Sequence, residues 1–374
     1  MKKVHIALVG GQPVPVYIGI KDDNQANAII LICSPQSLEE ASRLKTHFSK
    51  RMVRIEECSP VNLNEIEELA KKLKEEFGEC EVTLNLTSGT KLWTLSFFSI
   101  FSQMHLARFI YVDQTNTITN VLTKETHKGK IAHITRFELY GTPLTSYVPL
   151  TEYNKDDLMV MKEVEKFRKI NKRDFTLLTG SCDKESLECE EEISETANGS
   201  SLQYDYREKW VTINLRGYNG FTMSKTFRSP RVFDIVFNSG WFELKAAHEL
   251  SKNPNVKEVW LNCEFSDTEG NPKNEIDIIA DLGNRLLFVE CKTMIKDTTD
   301  IDKFRSALRN FSGTSTTGLF ITNDRPKKEY KHAMEKCKDN GILTFNFAHW
   351  HEAPLQSVSL DKIIENQLFT QNKR

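Results

Sequence analysis

The sequence predicts an α/β protein of two domains, and two observations lead to that prediction. Strand-like and helix-like patterns alternate over the first ~150 residues, which is typical of a parallel α/β sheet. From about residue 236 the predicted order is helix, three strands, helix, strand, helix and strand. We therefore divide the chain into residues 1–145, a connector or insertion over 146–235, and a second domain over 236–374.

The composition is that of a soluble globular protein, with 39% hydrophobic and 27% charged residues. A net charge of −2 means that any nucleic-acid contact must come from local basic patches. The longest apolar stretch, Leu92–Phe101, is far too short to span a membrane, so we expect a cytoplasmic protein without membrane contact. The eight cysteines form no C-x-x-C pair, which favours buried free thiols over disulfides or zinc.

The N-terminal domain contains six predicted strands with well-marked helices between them. Ser37 and Glu40 have the spacing of a capping box, and Thr90–Met104 is apolar nearly all round, as expected of a helix buried in the domain or in a subunit interface. The predicted strands are Val4–Val9, Ala28–Cys33, Met52–Glu56, Val82–Leu86, Phe109–Asp113 and Asn120–Thr123.

The middle of the chain is less regular. Leu158–Ile170 has a helical pattern, and the acidic run Asp183–Glu195 is expected to be a solvated loop. Tyr204–Arg231 mixes basic and aromatic residues, which suits single-stranded nucleic acid because guanidinium groups take phosphates and rings stack on unpaired bases. A β-hairpin with ordinary surface charges explains the same pattern equally well.

The C-terminal domain alternates helices and strands in an order that matters for its chemistry. The predicted helices are Gly240–Leu250, Ile301–Phe311 and Lys327–Asn340, and the predicted strands are Val256–Phe265, Glu275–Asp281, Leu286–Cys291, Gly318–Thr322 and Leu343–Phe345.

The stretch Asn274–Thr293 places charged residues inside two apolar runs that are joined by a short polar turn. In a hairpin, Glu290 and Lys292 project to one face because they are two residues apart, and Asp277 comes from the neighbouring strand. Two carboxylates and an ammonium on one patch suit a divalent cation and a hydrolytic water. The alternative is a solvated hairpin, but charges within such hydrophobic strands are costly without a purpose or a partner.

These residues resemble the motif of the PD-(D/E)XK nuclease superfamily, and the predicted element order resembles its core. The resemblance implies that Asp277 and Glu290 bind Mg²⁺ or Mn²⁺ and that the carbonyl of Cys291 completes the coordination. It further implies that Lys292 positions or deprotonates the attacking water. Glu243, in the preceding helix, would join the metal shell directly or through water.

The segment Leu84–Lys91 (LNLTSGTK) reads as a strand followed by a polar loop that opens a helix. Small hydroxyl residues, a glycine and a lysine at a helix N-terminus form an anion site. The loops Gly10–Pro15 and Ser34–Ser37 follow the first two strands and are expected at the same edge of the sheet, where open α/β sheets bind ligands. Neither a G-x-G-x-x-G fingerprint nor a Walker P-loop is present.

The loop Asn85–Lys91 resembles that of the CARF domain, a Rossmann-like sensor whose pattern is roughly [DN]-x-T-G-G-T-[KR], with Ser88 in place of the first glycine. A positive φ there would strain the serine, whereas an ordinary φ would leave its hydroxyl for a ligand. Such domains dimerise and bind a cyclic oligoadenylate across the two-fold axis. The implied ligand-binding residues are Thr87, Ser88, Gly89, Thr90 and Lys91, with Gln12, Pro13, Val14 and Ser34 lining the pocket and Asp113 or Gln114 touching a base.

Together, the two resemblances predict an N-terminal Rossmann-like CARF domain and a C-terminal PD-(D/E)XK restriction-endonuclease-like domain. This combination is similar to the cyclic-oligoadenylate-activated nucleases of type III CRISPR defence. It implies a homodimer activated by cyclic tetra-adenylate that cleaves nucleic acid, with single-stranded DNA or RNA favoured, using Mn²⁺ or Mg²⁺. Two alternatives stay open: a ligand-sensing adaptor or regulator without nuclease activity, and a ring nuclease that degrades the cyclic oligoadenylate.

Overall fold

The computed structural model describes residues 2–180, 193–283, 285–295, 298–310, 316–323, 328–348 and 359–369. The chain forms two compact units. The N-terminal unit comprises residues 1–145 with 265–273 and 310–315, and the second unit comprises residues 146–264, 274–309 and 316–374. Part of the acidic run predicted as a loop, residues 183–192, lies outside the described residues, as do Cys182 and Cys189.

The N-terminal unit is built on a seven-stranded sheet of order β3-β2-β1-β4-β5-β6-β7. The first five strands pair in parallel, and β6 and β7 continue the sheet antiparallel. The strands are β1 Lys3–Val9, β2 Ala28–Cys33, β3 Met52–Glu57, β4 Glu81–Asn85, β5 Ala107–Val112, β6 Thr117–Asn120 and β7 Thr126–Lys128. The prediction of a parallel α/β sheet is thus confirmed.

The sixth strand lies three residues earlier than predicted. Asp113 accepts hydrogen bonds from the N–H groups of Thr115 and Thr117 and from the Thr115 hydroxyl, so a tight turn follows β5 directly. The side chain of Asn120 accepts from the N–H of Leu122, which starts a turn where the strand was expected. The exposed polar strand β7 was not predicted, because it has no apolar alternation.

Five α-helices lie within the described residues of this unit, and two details differ from the prediction. A helix begins at Pro13, inside the segment expected to be a loop, because proline suits the first position of a helix. Ser37 does not cap the following helix; its hydroxyl donates to the carbonyl of Val9 at 2.7 Å. The helices are α1 Pro13–Asp22, α2 Leu38–His47, α3 Leu63–Glu76, α4 Lys91–Phe101 and α5 His133–Leu139.

Apolar side chains fill both faces of this sheet. Ile6 and Leu8 belong to one buried cluster, and Ala7 and Val9 belong to another, so alternate residues of β1 enter opposite layers. Within β2 every residue is buried, as expected of a strand covered on both faces. The two cores hold the loops at the carboxyl ends of β1, β2 and β4 at one edge of the sheet.

The second unit contains a six-stranded sheet of order β17-β16-β15-β14-β13-β8 and a four-stranded antiparallel sheet of order β12-β11-β10-β9. The strands of the larger sheet are β8 Leu144–Pro149, β13 Glu258–Ser266, β14 Pro272–Asp281, β15 Leu286–Lys292, β16 Thr316–Thr322 and β17 Leu343–Asn346. The strands of the smaller sheet are β9 Ile193–Glu195, β10 Ser201–Asp205, β11 Trp210–Arg216 and β12 Thr222–Arg228.

Helices cover the sheets of the second unit. They are α6 Lys155–Phe167, α7 Lys172–Thr179, α8 Val232–Val236, α9 Gly240–Ser251, α10 Thr299–Asn310, α11 Lys328–Asp339 and α12 Leu360–Phe369. From α9 to β17 the order of elements is the one predicted, helix and three strands followed by alternating helices and strands.

The middle stretch treated above as a connector or insertion takes part in the core of the second unit. One cluster of buried side chains includes Val164 on α6, Leu202 on β10 and Val211 on β11. The same cluster includes Leu244 on α9 and Val289 on β15. Residues 146–235 and the elements that follow therefore share their hydrophobic packing.

Six of the cysteines lie within the described residues, and all six are free thiols. Cys33, Cys58, Cys263, Cys291 and Cys337 are buried, and Cys80 is half-buried. Burial raises the pKa of Cys33 and of Cys58 to about 11, so these thiols stay protonated. Within the described part of the chain, no helix combines the length and apolar character that crossing a bilayer requires.

Candidate nuclease and ligand sites

The first carboxylate of the C-terminal site comes from the start of α9. Glu243 lies in the first turn of this helix, where a carboxylate is favoured by the helix dipole. The turn that leads into α9 is tight: Ser239 has φ +68°, and a Cβ at position 240 would lie 1.7 Å from the carbonyl oxygen of Asp234. Gly240 is therefore required by close backbone packing, and it sets where Glu243 begins its turn.

The second carboxylate, Asp277, lies where β14 and β15 stop pairing. Their antiparallel register runs from Asp281–Leu286 to Ile278–Val289, two residues before Cys291. The N–H of Cys291 instead donates to Oδ2 of Asp277 at 2.6 Å. The side chain of Asp277 thus substitutes for a backbone partner, and this bond fixes its orientation.

Glu290 and Lys292 project from β15 on the same face, as the i, i+2 spacing predicts. The Nζ of Lys292 lies 2.6 Å from Oε1 of Glu290. The Glu290 side chain is 14% exposed and that of Lys292 is 31% exposed, so both are partly shielded from solvent. A charge-assisted bond of this length is strong in a partly desolvated setting.

The charged side chains of this cluster shift one another's pKa values. Burial first, and then the charges of Asp277 and Glu275, raise the pKa of Glu243 well above its usual range. Burial and the charge of Glu290 raise the pKa of Asp277 to about 7. Burial alone would lower the pKa of Lys292, but the carboxylates of Asp277 and Glu290 raise it instead.

This excess of carboxylates over cations is the environment that a divalent cation would neutralise. Among the described residues, no group of three or more His, Cys, Asp or Glu side chains has the arrangement of a metal-holding cluster. A hard cation needs fewer protein ligands than such a cluster supplies, since Mg²⁺ is commonly held by one or two carboxylates and keeps several waters. The carboxylates of Asp277 and Glu290 line the same pocket and fit that donor set.

The four predicted catalytic side chains, Glu243, Asp277, Glu290 and Lys292, line one pocket of about 530 Å³ in the second unit. The volume falls within the range of about 300–1,000 Å³ that is usual for ligand sites. The remaining lining residues are Tyr206, Lys209, Pro230, Arg231, Phe233, Asp234, Phe237, Asn238, Gly240, Asn262 and Glu275.

Several of these lining residues were not predicted, and their backbones are unusual. Lys209, Asn238 and Asn262 have φ of +52°, +49° and +50°, in the left-handed region that side chains seldom adopt. Asn262 lies in the middle of β13, half-buried between the buried residues Leu261 and Cys263. The sequence Asn238-Ser-Gly240 is a turn pattern that would have indicated one of the three.

The predicted ligand-binding loops of the N-terminal unit meet at the carboxyl edge of its sheet. Strands β1 and β4 are parallel neighbours, and their following helices start at Pro13 and Lys91. The order β2-β1-β4 places the strand-order reversal between these two loops. Open α/β sheets bind ligands at such a switch point.

The loops after β1 and β4 touch each other. The N–H of Gly10 donates to the hydroxyl of Ser88 at 3.0 Å. Ser88 does not have a positive φ, so the serine is not strained, and its oxygen is used to join the two loops. Gly89 carries the left-handed backbone instead, with φ +85°, and a Cβ there would lie 2.6 Å from the ring of Trp93.

Two hydroxyl groups of the loop form hydrogen bonds within the protein. The Thr87 hydroxyl donates to Oδ1 of Asn85 at 2.5 Å and accepts from the N–H of Val112 at 2.9 Å. The Thr90 hydroxyl accepts from the N–H of Trp93 at the start of α4 and donates to a backbone carbonyl. Both threonines therefore shape the loop, and a ligand would meet its backbone and Lys91.

The other predicted ligand residues are distributed unevenly around this edge. Gln12 is exposed at the start of α1, whereas Pro13 and Val14 are buried in its first turn. Ser34 is also buried, and its N–H donates to the Ser37 hydroxyl at 3.1 Å.

Asp113 and Gln114, at the end of β5, differ in their availability. Burial alone would raise the pKa of Asp113, but hydrogen bonds from Thr117 and Thr115 lower it. Asp113 is thus the anchor of a turn, and exposed Gln114 is the freer of the two to touch a base.

Comparison with known proteins supports the organisation of the N-terminal unit. Residues 4–140 match the family model described as the Card1 CARF domain. The match covers nearly the whole N-terminal unit, and its parallel α/β sheet fits the Rossmann-like CARF domain that the sequence predicted. No curated protein matches the chain in sequence.

Solved structures resemble the fold over most of the chain. Can2 from Sulfobacillus thermosulfidooxidans, in complex with cyclic tetra-adenylate, has a TM-score of 0.64 at 18% identity over 92% of this chain and 95% of its own. Protein VC1899 from Vibrio cholerae has a TM-score of 0.66 at 14% identity over 98% of both chains. A type III CRISPR defence DNA nuclease activated by cyclic oligoadenylate has a TM-score of 0.53 at 15% identity, over 95% of this chain and 52% of its own.

Proposed function

We propose that the chain is a metal-dependent endonuclease that is activated by a cyclic oligoadenylate, with cyclic tetra-adenylate as the favoured ring, in type III CRISPR defence. The observation that carries this proposal is the convergence of Glu243, Asp277, Glu290 and Lys292 on one pocket. The CARF match over residues 4–140 supports the sensor. Fold relatives that bind cyclic tetra-adenylate, or cut DNA when activated by cyclic oligoadenylate, support the combination.

The side chains suit hydrolysis of a phosphodiester, in which a water oxygen joins phosphorus, one P–O bond breaks and the departing oxygen gains a proton. The raised pKa of Lys292 keeps its ammonium protonated at neutral pH. Lys292 therefore acts as a hydrogen-bond donor and positive charge beside the phosphate rather than as a base. Its contact with Glu290 holds the ammonium in place without deprotonating it.

Asp277, Glu290 and the carbonyl of Cys291 would hold Mn²⁺ or Mg²⁺, with Glu243 joining directly or through water. When bound, such a cation supplies an acidified water and offsets charge on the phosphate. Because the pKa values of Glu243 and Asp277 are raised, cation binding at this site is coupled to the release of protons.

Activation follows from a change in population between two states. A homodimer that binds the cyclic ligand at the carboxyl edge of its CARF sheets would favour one state only if that state binds the ligand more tightly. We assign phosphate contacts to the loop Thr87–Lys91, which lies at the N-terminus of α4 and ends in the exposed Lys91. The protein is expected to act in the cytoplasm.

The test is cleavage of labelled single-stranded and duplex DNA and RNA with Mn²⁺ or Mg²⁺, with and without cyclic tetra-adenylate. We expect cleavage that requires the cation and is stimulated by the ligand. A protein that binds the ligand but cuts none of these substrates supports the adaptor alternative. Linear products from the ligand itself, formed by a variant with Glu290→Gln, would support the ring nuclease instead.

A further inference from the structure

The candidate nuclease pocket contains a basic side chain that the proposed catalysis does not use. Three basic side chains line the pocket: Lys209, Arg231 and Lys292. Five carboxylates line it as well, namely Glu243, Glu275, Asp277, Glu290 and Asp234. A phosphodiester is an anion, so its entry depends on where the free positive charge of this pocket lies.

Two of the three basic side chains form ion pairs with carboxylates. Arg231 contacts Asp234 at 3.2 Å and also pairs with Glu152. Lys292 lies 2.6 Å from Glu290. Among the residues that the structure describes, Lys209 has no carboxylate partner, and its charge is the one left for a ligand.

Aromatic rings hold the ammonium of Lys209 in place. Its Nζ lies 3.6 Å from the ring centroid of Tyr206 and 5.6 Å from that of Phe233. The two rings pack together at 5.0 Å, so they form a platform against which the lysine is held. An ammonium over an aromatic ring stays charged, and its N–H groups that point away from the ring remain available to a ligand.

The backbone also favours this placement. Lys209 is the last residue of the turn between β10 and β11 and has φ +52°. The turn is stabilised by a hydrogen bond from the N–H of Glu208 to Asp205 at 2.9 Å. A lysine kept in the left-handed region beside a pocket is a functional candidate, since asparagine or glycine would fit that backbone more easily.

We propose that Lys209, supported by the rings of Tyr206 and Phe233, binds a backbone phosphate of the nucleic-acid substrate and so positions the strand in the pocket. This rests on the proposed nuclease function and assigns the substrate contact that the function lacks. Lys209 is a positioning residue: the bond to be cut lies at Asp277, Glu290 and Lys292, and Lys209 holds the strand beside them.

The test compares Lys209→Met with Lys209→Arg and with the matched control Lys225→Met. Lys225 lies on β12 and pairs with Glu163 at 3.0 Å, outside the pocket. Binding of a fluorescein-labelled oligothymidylate is followed by anisotropy over a range of salt concentrations, in the full-length protein with cyclic tetra-adenylate and without a divalent cation.

We expect Lys209→Met to weaken binding about tenfold and to reduce the slope of log affinity against log salt by about 0.7, as for one lost phosphate contact on a single strand. In cleavage assays, KM should rise while kcat changes little, and Lys209→Arg should restore most of the affinity. Lys225→Met should match the wild type.

Equal affinity and equal salt slope in Lys209→Met and the wild type would overturn the inference, and so would a wild type that does not bind the oligonucleotide. The failure of the proposed function is a separate result: a wild type that binds through Lys209 yet cleaves nothing would refute the nuclease and leave the phosphate contact standing.

Discussion

The backbone N–H of Cys291 donates to Oδ2 of Asp277 at 2.6 Å, at the point where β14 and β15 cease to pair. The bond joins the residue between Glu290 and Lys292 to the carboxylate of the neighbouring strand. Asp277, Glu290 and Lys292 line the same pocket. This relationship places three charged side chains together without requiring any loop to adapt.

Replacing the acidic or the basic member of β15 is predicted to abolish cleavage. Glu290→Ala and Lys292→Ala should each lower cleavage at least about 100-fold, because each removes a charge that acts directly at the reacting phosphate. The affinity for cyclic tetra-adenylate, measured by isothermal titration calorimetry, should stay within about twofold of the wild type. Retained cutting in either variant would contradict the assignment of the site.

The raised pKa of Asp277 predicts how the stability of the metal-free protein depends on pH. The folded protein keeps a proton on Asp277 up to pH about 7, whereas the unfolded chain loses it near its ordinary value. The contribution of this carboxyl to stability is therefore present at low pH and is lost as the pH rises through about 7. Asp277→Asn should raise the unfolding midpoint in EDTA, with an advantage that grows from pH 5 to pH 8.

Asp174, also in the second unit, provides a control of opposite sign. Burial alone would raise the pKa of Asp174, but hydrogen bonds from Ser200, Asn198 and Thr196 lower it. Asp174→Asn should therefore lower the midpoint at neutral pH, with a loss that shrinks as the pH falls. An Asp277→Asn midpoint that does not rise with pH relative to the wild type would contradict the predicted charge repulsion.

Cation binding gives a further prediction that does not depend on activity. Because bound ligand stabilises the folded state, millimolar Mn²⁺ should raise the unfolding midpoint of the wild type. The effect should be larger at pH 8 than at pH 5.5, since protons compete for Asp277 and Glu243. Asp277→Asn should lose most of this response, and an equal Mn²⁺ response in that variant would place the cation elsewhere.

Lys91 is predicted to set the sensitivity of the sensor. It is exposed at the first turn of α4, beside the loop Thr87–Thr90. Lys91→Ala should raise the cyclic tetra-adenylate concentration for half-maximal activation about tenfold, since it removes one charge from a phosphate site. Lys71→Ala, which removes a lysine paired with Glu67 on α3, should leave activation unchanged. Unaltered activation in Lys91→Ala would remove this loop from the sensor site.

Gly89 is predicted to be required for the stability of the N-terminal unit at the edge of its sheet. Its φ of +85° disfavours any side chain, and a Cβ would lie 2.6 Å from the ring of Trp93. Gly89→Ala should destabilise the protein by about 1–3 kcal/mol in urea unfolding. Gly11→Ala is the control, because a Cβ there meets nothing within 4 Å. Equal stability of the two variants would contradict the strain assigned to Gly89.

Local pattern was sufficient to predict the five parallel strands of the first sheet and the helix-strand order after Gly240. It also placed Glu290 and Lys292 on one face, because the two-residue period of a strand is a local property. The capping role expected of Ser37 was wrong, since its hydroxyl is taken by the carbonyl of Val9, on another strand. A local pattern does not show such a long-range competitor.

The sequence alone determined which residue types are available for metal binding and for an anion-binding loop. Motif spacing and strand periodicity depend only on the order of residues along the chain. Only the tertiary structure decided that Lys209 and Asn262 line the same pocket as Asp277. They come from a turn of a separate sheet and from a mid-strand residue with positive φ, and their meeting depends on how distant segments pack into one core. The packing of distant segments depends on how the whole unit buries its apolar side chains. A short stretch of sequence does not contain that information.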